Sequence, residues 1–277
     1  MKNFFITGGT SGIGYNCVKY IAKDHNNRVL IISSNEEKGR LAVTKLRQLT
    51  KNKNINFLQC DLSSIKETNR LIYNNQIFKI DVLINNAGAI YFTKQFSNEN
   101  IEKTFALNHM GYFSITNFLL KKNLIKNGAK IINIASGAHW GVDLDINDLQ
   151  MKEKYNGWLA YKKSKLCNIL FTRKLSKLLI QRKISVNCLH PGFVKTDFGK
   201  NNFFIFKFFL GLAMKFMAIN VDEGTKTLLH LINDKKNNVT GEYFYKEKPS
   251  PSSTYSQDMN NAEKLWNESY KLIKMYL

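Results

Sequence analysis

The sequence contains little proline and little cysteine, and it lacks a long apolar run. Its three prolines stand at positions 191, 249 and 251, so no proline-rich linker divides the chain. No stretch of about 20 uncharged apolar residues occurs, which excludes a membrane-spanning helix of ordinary length. The four cysteines stand far apart, at Cys17, Cys60, Cys167 and Cys188. That spacing predicts free thiols in a reducing compartment and no metal site.

Acidic residues are also scarce, with 21 against 41 basic residues and a formal net charge of +20. An excess of this size raises two hypotheses, an interaction with nucleic acid or an anionic membrane, and an ordinary solvated surface. The lysines are spread along the chain and not clustered in one arm, which favours the solvated surface. We therefore expect no nucleic-acid partner. The N-terminus has no room for a signal peptide before its glycine-rich segment, and this indicates a cytoplasmic protein.

Apolar runs typical of strands alternate with helix-like stretches along the 277 residues. Such alternation predicts a parallel sheet buried on both faces, that is, a doubly wound α/β fold of the Rossmann type. We expect one dinucleotide-binding domain over residues 1–277. The expected strands are Phe4–Thr7, Arg28–Ser33, Asn56–Cys60, Ile80–Asn85, Ile131–Ala135 and Ile184–Leu189, and the first two expected helices are Gly12–Lys23 and Glu36–Leu49.

The stretch 203–219 is unlike the rest, because it is dense in Phe, Leu and Met. Two interpretations remain open. The segment 199–220 covers an apolar substrate pocket, or residues 203–219 lie on a membrane surface as an amphipathic helix. The pocket-covering helix is favoured, since apolar helical stripes usually face a core.

A glycine-rich loop, Thr7 to Gly14, lies between the first expected strand and the first expected helix. Gly8 permits a tight turn, Gly12 lets the backbone approach a pyrophosphate, and Gly14 lets the helix pack closely on the sheet. The free N–H groups and the positive dipole end at the helix N-terminus favour phosphate. In this strand–turn–helix context the loop predicts a dinucleotide site.

The end of the second strand indicates which dinucleotide is used. A carboxylate there would bond the ribose 2′-hydroxyl of NAD, but Ser33 and Ser34 occupy the position. The sequence thus favours NADP, with NAD as the alternative. Asp61, after the third strand, has two equal interpretations: it accepts a hydrogen bond from the adenine amino group, or it stands at a helix start near Ser63.

Tyr161 and Lys165 stand four residues apart, so on a helix they share one face. A phenol with a pKa near about 10 transfers protons poorly at neutral pH, and we expect the lysine ammonium to lower that pKa. Ser136 ends the fifth strand, where its hydroxyl would meet a substrate carbonyl. Asn108, in a helix-like segment, is expected to hold a water that links Lys165 to solvent.

These motifs together resemble the short-chain dehydrogenase/reductase family, over nearly the whole chain. They comprise the Thr7–Gly14 loop, Asn85-Asn86-Ala87-Gly88, Asn108, Ser136, Tyr161-x-x-x-Lys165 and Pro191-Gly192. The resemblance implies a catalytic set of Asn108, Ser136, Tyr161 and Lys165. The loop, the strand ends and the resemblance together give the expected cofactor-binding set: Thr7, Gly8, Thr10, Ser11, Gly12, Ile13, Gly14, Ser33, Ser34, Asp61, Leu62, Asn86, Ala87, Gly88, Tyr161, Lys165, Pro191, Gly192, Val194 and Thr196.

Finer features are similar to the retinol dehydrogenase and WW-domain oxidoreductase branch of that family. They include the run from Asn108 to Phe113, the run from Ser164 to Phe171, and Leu265-Trp266. The resemblance implies hydride transfer between NADP(H) and a carbonyl or alcohol of a small apolar substrate, by a protein that often forms homo-oligomers. Two alternatives stay open, a non-catalytic dinucleotide sensor or scaffold and an enzyme similar to protochlorophyllide reductase.

Overall fold

Strands and helices alternate from the first residues and build one sheet in the computed structural model, which describes residues 1–192, 220–234 and 239–277. The strands are β1 (Asn3–Thr7), β2 (Arg28–Ser33), β3 (Ile55–Gln59), β4 (Ile80–Asn85), β5 (Ile125–Ile134), β6 (Ser185–His190), β7 (Tyr243–Tyr245) and β8 (Lys248–Pro249). Their spatial order is β3-β2-β1-β4-β5-β6-β7-β8. All neighbours pair in parallel except β7 and β8, which are antiparallel. The doubly wound sheet predicted from the sequence is confirmed.

Helices connect these strands on both faces of the sheet. The described helices are α1 (Gly12–Ile21), α2 (Glu36–Thr50), α3 (Ile65–Asn74), α4 (Lys103–Phe105), α5 (Gly111–Lys121), α6 (Gly157–Leu178), α7 (Val221–Asn233), α8 (Thr254–Gln257) and α9 (Met259–Ile273). Between α4 and α5, residues Ala106–Met110 form one π-helical turn. In the part of the chain that the structure describes, no helix is both long and apolar enough to cross a membrane.

The two faces of the sheet carry separate apolar layers. Along β1, Phe5 belongs to the layer beneath α3, α5, α6 and α9, whereas Phe4 and Ile6 belong to the layer beneath α1, α2 and α7. All three side chains are almost fully buried. Because successive strand residues point to opposite faces, a strand buried on both sides must be apolar at every position. This explains why the sequence of β1 is dominated by a continuous apolar run.

Besides shifts of one residue at strand ends, the structure differs from the expected strands in β5 and in the short strands after β6. β5 begins at Ile125 and not at Ile131, and its pairing with β4 shifts register between Ile80 and Val82. Gly128, with a φ of 75°, lies in this irregular stretch. Polar residues and a glycine interrupt the apolar pattern there, so the first half of the strand could not be predicted from the sequence. The short strand β7 was not predicted from the sequence, because its pairing with β6 defines it and its local pattern does not.

Candidate functional site

The site lies at the carboxyl ends of β1 and β4, where the strand order reverses. The chain leaves β1 towards β2 on one side and leaves β4 towards β5 on the other, which opens a crevice between the two connections. Ligands of doubly wound sheets bind in this crevice. The glycine-rich loop and the segment Asn86–Gly88 both follow strand ends that face it.

Thr7 joins the two strand ends. Its Oγ1 accepts hydrogen bonds from the backbone N–H groups of Asn86 (2.9 Å) and Ala87 (3.0 Å). The Asn86 side-chain amide donates in return to the carbonyl oxygens of Thr7 (3.0 Å) and Gly8 (2.9 Å). Each segment thus satisfies polar groups of the other, and the crevice floor is fixed by four hydrogen bonds.

Two glycines allow this close approach. A Cβ at Gly14 would lie 2.3 Å from the carbonyl oxygen of Gly8 and 2.6 Å from the Asn86 amide nitrogen. Gly8 has a φ of 69°, and a Cβ there would lie 2.8 Å from Cα of Ala87. Any side chain at either position would separate α1 from the strand ends.

The N-terminus of α1 offers its N–H groups to a ligand. The preceding residue, Ser11, makes no side-chain capping bond, and the first turn contains no acidic residue. By contrast, Asn35, Ser64 and Asn156 cap α2, α3 and α6 with their side chains. Free N–H groups and a positive dipole end attract a phosphate. The described residues therefore fit the diphosphate of a dinucleotide, with Thr10, Ser11, Gly12 and Ile13 in the same turn.

The end of β2 presents a neutral, exposed surface. Ser33 is the last residue of the strand and Ser34 is exposed. Asn35 is engaged as a helix cap, because its side-chain oxygen accepts from the N–H of Lys38 (2.8 Å). Arg40, one turn into α2, pairs with Glu36 at 2.6 Å and both side chains are exposed. Arg40 is the guanidinium in α2 nearest along the chain to Ser34.

Asp61 lies at a helix start and contacts Ser63, as the second of its two interpretations predicted. Its Oδ1 accepts from the N–H of Ser63 (2.9 Å) and from the Ser63 hydroxyl (2.8 Å), just before α3 begins. Leu62 between them is buried, and its carbonyl oxygen would lie 2.9 Å from a Cβ at Gly111. The carboxylate of Asp61 therefore shapes the start of α3, and Leu62 faces the glycine that begins α5.

Asn108 lies in the π-helical turn and is fully buried. Its Oδ1 accepts from the N–H of Ala89 (2.8 Å), and its Nδ2 donates to the Ala89 carbonyl (2.9 Å) and to Ser164 Oγ (3.0 Å). Both amide hydrogens are used in these contacts. The side chain thus ties the segment after β4 to α6, and it has no N–H left for the water expected from the sequence. Single π-helical turns are frequent at functional sites.

Lys165 is buried, with only 3% of its surface exposed, beside the hydrogen bonds that Asn108 makes with Ala89 and Ser164. Its Nζ donates to the carbonyl of Ile134 (3.0 Å), and a Cβ at Gly88 would lie 3.5 Å from that nitrogen. Burial lowers the pKa of Lys165 to about 7. Burial thus disfavours the charged form of Lys165, whose amine faces the segment after β4.

Tyr161 lies one turn before Lys165 on α6, as the spacing predicted. Burial raises the pKa of the Tyr161 phenol to about 12, and a hydrogen bond with Ser136 acts in the opposite direction. The expectation that Lys165 lowers this pKa is wrong for this structure. The Lys165 nitrogen lies 5.7 Å from the Tyr161 ring centroid and donates to Ile134, and desolvation is the largest effect on the pKa of the phenol.

Ser136 follows β5 directly, with extended backbone. Its Oγ accepts from the N–H of Ala138 (3.1 Å) and shares a hydrogen bond with Tyr161. The structure thus brings all four residues of the expected catalytic set to one end of the sheet. Asn108 and Tyr161 are linked through Ser164, whose hydroxyl also donates to the Tyr161 carbonyl (2.7 Å).

Ser164 and Asn168 are site residues that the sequence analysis did not single out. Asn168 donates to the same Ile134 carbonyl (3.3 Å) that accepts from Lys165. The signal was available, because positions 161, 164, 165 and 168 follow the helical spacing of three and four residues that puts side chains on one face.

Pro191 and Gly192 follow β6 at the same edge of the sheet. Gly192 has a φ of 86°, and its N–H donates to Nδ1 of His190 (3.3 Å). The expected contacts of Val194 and Thr196, and the segment 203–219, lie outside the described residues.

The sequence pattern of the short chain dehydrogenase family matches residues 2–203, well over half of the chain. The chain belongs to the short-chain dehydrogenase family. It is 31% identical to polyprenol dehydrogenase of Homo sapiens, across 96% of this chain and 83% of that protein. It is 30% identical to retinol dehydrogenase 13 of Homo sapiens, across 98% of this chain and 84% of that protein. The resemblance to the retinol dehydrogenase branch is thereby confirmed.

A solved structure has the same fold. An uncharacterised protein from Mycobacterium paratuberculosis superposes with a TM-score of 0.80 at 24% identity, covering 99% of this chain and 94% of that one. The family and its dehydrogenase members establish this protein as an NAD(P)-dependent oxidoreductase that acts on a small molecule.

Proposed function

We propose that this short-chain dehydrogenase transfers a hydride between NADP(H) and a carbonyl or alcohol group of an apolar substrate, with NAD as the alternative cofactor. The observation that carries the proposal is the convergence of Ser136, Tyr161 and Lys165 at the sheet edge where the α1 N-terminus is uncapped. A phosphate-binding turn and a proton-bearing phenol at one edge are what carbonyl reduction needs.

The loop Thr7–Gly14, with Asn86 to Gly88 beside it, would hold the dinucleotide, and Pro191 and Gly192 would flank it. When bound, the nicotinamide supplies or accepts the hydride. Lys165 would hold the nicotinamide ribose, because its Nζ lies beside Gly88, where no side chain intervenes. Val194 and Thr196 remain proposed contacts from the sequence.

In the direction of reduction, Tyr161 would deliver the proton. Burial raises the pKa of the phenol, so Tyr161 holds its proton at neutral pH, although the raised pKa also makes it a weaker acid. Ser136 would orient the substrate oxygen, since its hydroxyl already shares a hydrogen bond with the phenol. Lys165, with a pKa of about 7, would return a proton towards Tyr161 after turnover. We assign Asn108 a positioning role, because its amide is used in holding Ala89 and Ser164.

The choice of NADP rests on the neutral end of β2. Ser33, Ser34 and Asn35 present no carboxylate that would repel a 2′-phosphate. Arg40 on α2 supplies a guanidinium, although it is paired with Glu36. An exposed ion pair of this kind is weak, so a phosphate can compete for the guanidinium.

The choice of an apolar substrate rests on Trp158. Its ring is stacked on Tyr161, with centroids 5.6 Å apart and planes 22° apart, and the side chain is 40% exposed. A large apolar ring beside the proposed proton donor favours an apolar substrate surface. The expected cover from residues 199–220 would add further apolar surface.

The decisive experiment is Tyr161→Phe, which removes the hydroxyl and keeps the ring. We expect turnover to fall by about 100-fold or more, because the proton donor is lost. Binding of NADPH, followed by its fluorescence, should stay within about two-fold. Tyr270→Phe, at an exposed tyrosine on α9, is the matched control and should change neither. Undiminished turnover in Tyr161→Phe would refute the proposal.

Substrate identity follows from a panel of aldehydes and alcohols monitored by nicotinamide absorbance. Silence across the panel together with tight NADPH binding would favour the non-catalytic sensor. The cytoplasmic location, the homo-oligomer, the single domain over residues 1–277 and the membrane contact through 203–219 stay predictions of the sequence.

A further inference from the structure

The turn that follows β5 is held in place by a buried histidine. Ser136 begins a one-turn 3-10 helix, Gly137–His139, and the His139 side chain has no exposed surface. Its Nδ1 lies 2.7 Å from the carbonyl oxygen of Ser136. Its Nε2 lies 3.2 Å from the backbone nitrogen of Ser253, which is 114 residues further along the chain. The imidazole thus bridges Ser136 and the segment before α8.

These two contacts fix the protonation state of the ring. A backbone N–H can only donate, so Nε2 of His139 must accept from Ser253 and carries no proton. A carbonyl oxygen can only accept, so Nδ1 must carry the proton and donate to Ser136. His139 is therefore neutral and in a single tautomer. Burial, which lowers the pKa of His139, favours the same state.

Neighbouring rings prevent the imidazole from leaving this position. Tyr243 on β7 packs on it edge-to-face, with centroids 5.0 Å apart, and Trp140 lies 5.2 Å away on another side. Gly137 directly follows Ser136, and a Cβ at Gly137 would lie 3.0 Å from Nε2 of His190. The turn is therefore packed against β6 and β7, and a shift of the Ser136 backbone would have to break the bridge.

We propose that His139 is a positioning residue, which fixes the Ser136 main chain through its Nδ1–H so that the Ser136 hydroxyl faces Tyr161. The inference rests on the proposed function, since it assigns a task to the residue that would orient the substrate oxygen. His139 itself bonds neither the phenol nor the Ser136 hydroxyl; it acts through the Ser136 carbonyl.

Two substitutions distinguish the bond of His139 with Ser136 from its bond with Ser253. His139→Leu removes both and keeps an apolar side chain in the buried site. His139→Asn keeps a side-chain N–H close to the place of Nδ1, so it can still donate to Ser136. We expect kcat to fall about 10- to 100-fold in His139→Leu, because small displacements of a catalytic group have effects of this size. The NADPH dissociation constant should stay within about two-fold, and His139→Asn should recover most of kcat.

A double variant tests whether the effect passes through Ser136. Ser136→Ala alone should lower kcat, and adding His139→Leu should lower it no further, because the residue being positioned is gone. If His139→Leu lowers kcat by the same factor in both backgrounds, the proposal is overturned and the histidine only supports the fold. If Ser136→Ala is as active as the unmodified enzyme, the proposed function of Ser136 fails instead, and the two failures are distinguished.

A third variant leaves the histidine itself unchanged. Ser253→Pro removes the N–H donor together with the serine hydroxyl, and Ser253 has a φ of −57°, which proline adopts. Nitrogen-15 NMR of histidine-labelled enzyme should show a protonated Nδ1 and an unprotonated Nε2 at His139 in the unmodified protein. In Ser253→Pro the Nε2 resonance should move, while kcat should stay within about three-fold, because the Nδ1–H bond to Ser136 remains. The opposite tautomer in the unmodified enzyme would overturn the proposal.

Discussion

Lys165 extends past the ring of Tyr161, with its Nζ 5.7 Å from the ring centroid, and donates to the carbonyl of Ile134. Burial alone lowers its pKa to about 7. A buried amine with a carbonyl acceptor is less stable in its charged form than the same amine in water. The burial of Lys165 therefore lowers the stability of the folded protein at neutral pH.

Lys165→Met should therefore abolish turnover and raise the stability of the fold. The folded pKa of about 7 lies below the unfolded value of about 10.4, so between these values the unfolded chain binds more protons. The stability of the unmodified protein should then rise with pH from about 7 to about 10, and the variant should lack this rise. At pH 7 we expect a gain of roughly 1–4 kcal/mol in the free energy of unfolding, measured by urea denaturation.

The Ile134 carbonyl keeps a donor in that variant, because Asn168 also bonds it at 3.3 Å. Lys177→Met is the matched control, at an exposed lysine on the same helix, and should change stability by less than about 0.5 kcal/mol. A Lys165→Met protein that is less stable than the unmodified one at pH 7 would contradict this account of burial.

Strong local patterns predicted the fold and the placement of several candidate site residues. The apolar runs of β1 and β4 and the glycine loop between β1 and α1 stand where the sequence placed them. Helical spacing placed Tyr161 and Lys165 on one face. Local pattern could not show that Asn108 lies in a π-helical turn and bonds Ala89 and Ser164, because contacts between distant segments are absent from it.

Electrostatic expectations from the sequence were less successful than geometric ones. A lysine one turn from a tyrosine predicted a lowered phenol pKa, but both groups are desolvated and each is shifted away from its charged form. Burial depth is a property of the packed sheet and helices, and spacing along the chain does not contain it. The bridge from His139 to Ser253 is likewise tertiary, since 114 residues separate its ends.

Ser34→Asp should change the cofactor preference. A carboxylate at this exposed position would repel a 2′-phosphate and would bond a 2′-hydroxyl, so the ratio of kcat/KM for NADPH to that for NADH should fall about ten-fold or more. Ser34→Ala is the control, because it removes the hydroxyl without adding charge, and it should leave the ratio within about three-fold. An unchanged ratio in Ser34→Asp would show that the end of β2 does not contact the ribose.

Trp158→Ala should separate substrate binding from proton transfer. Trp158 is exposed and stacked on Tyr161, so an apolar substrate that reaches the phenol would cover the indole. Loss of that contact should raise KM for long-chain apolar aldehydes about ten-fold, equivalent to about 1.4 kcal/mol of apolar burial. For a short polar aldehyde KM should change by less than about two-fold, and Trp158→Phe should recover most of the apolar preference. Steady-state kinetics on the two substrate series measures this, and equal losses on both would mean that the indole supports Tyr161 and does not contact substrate.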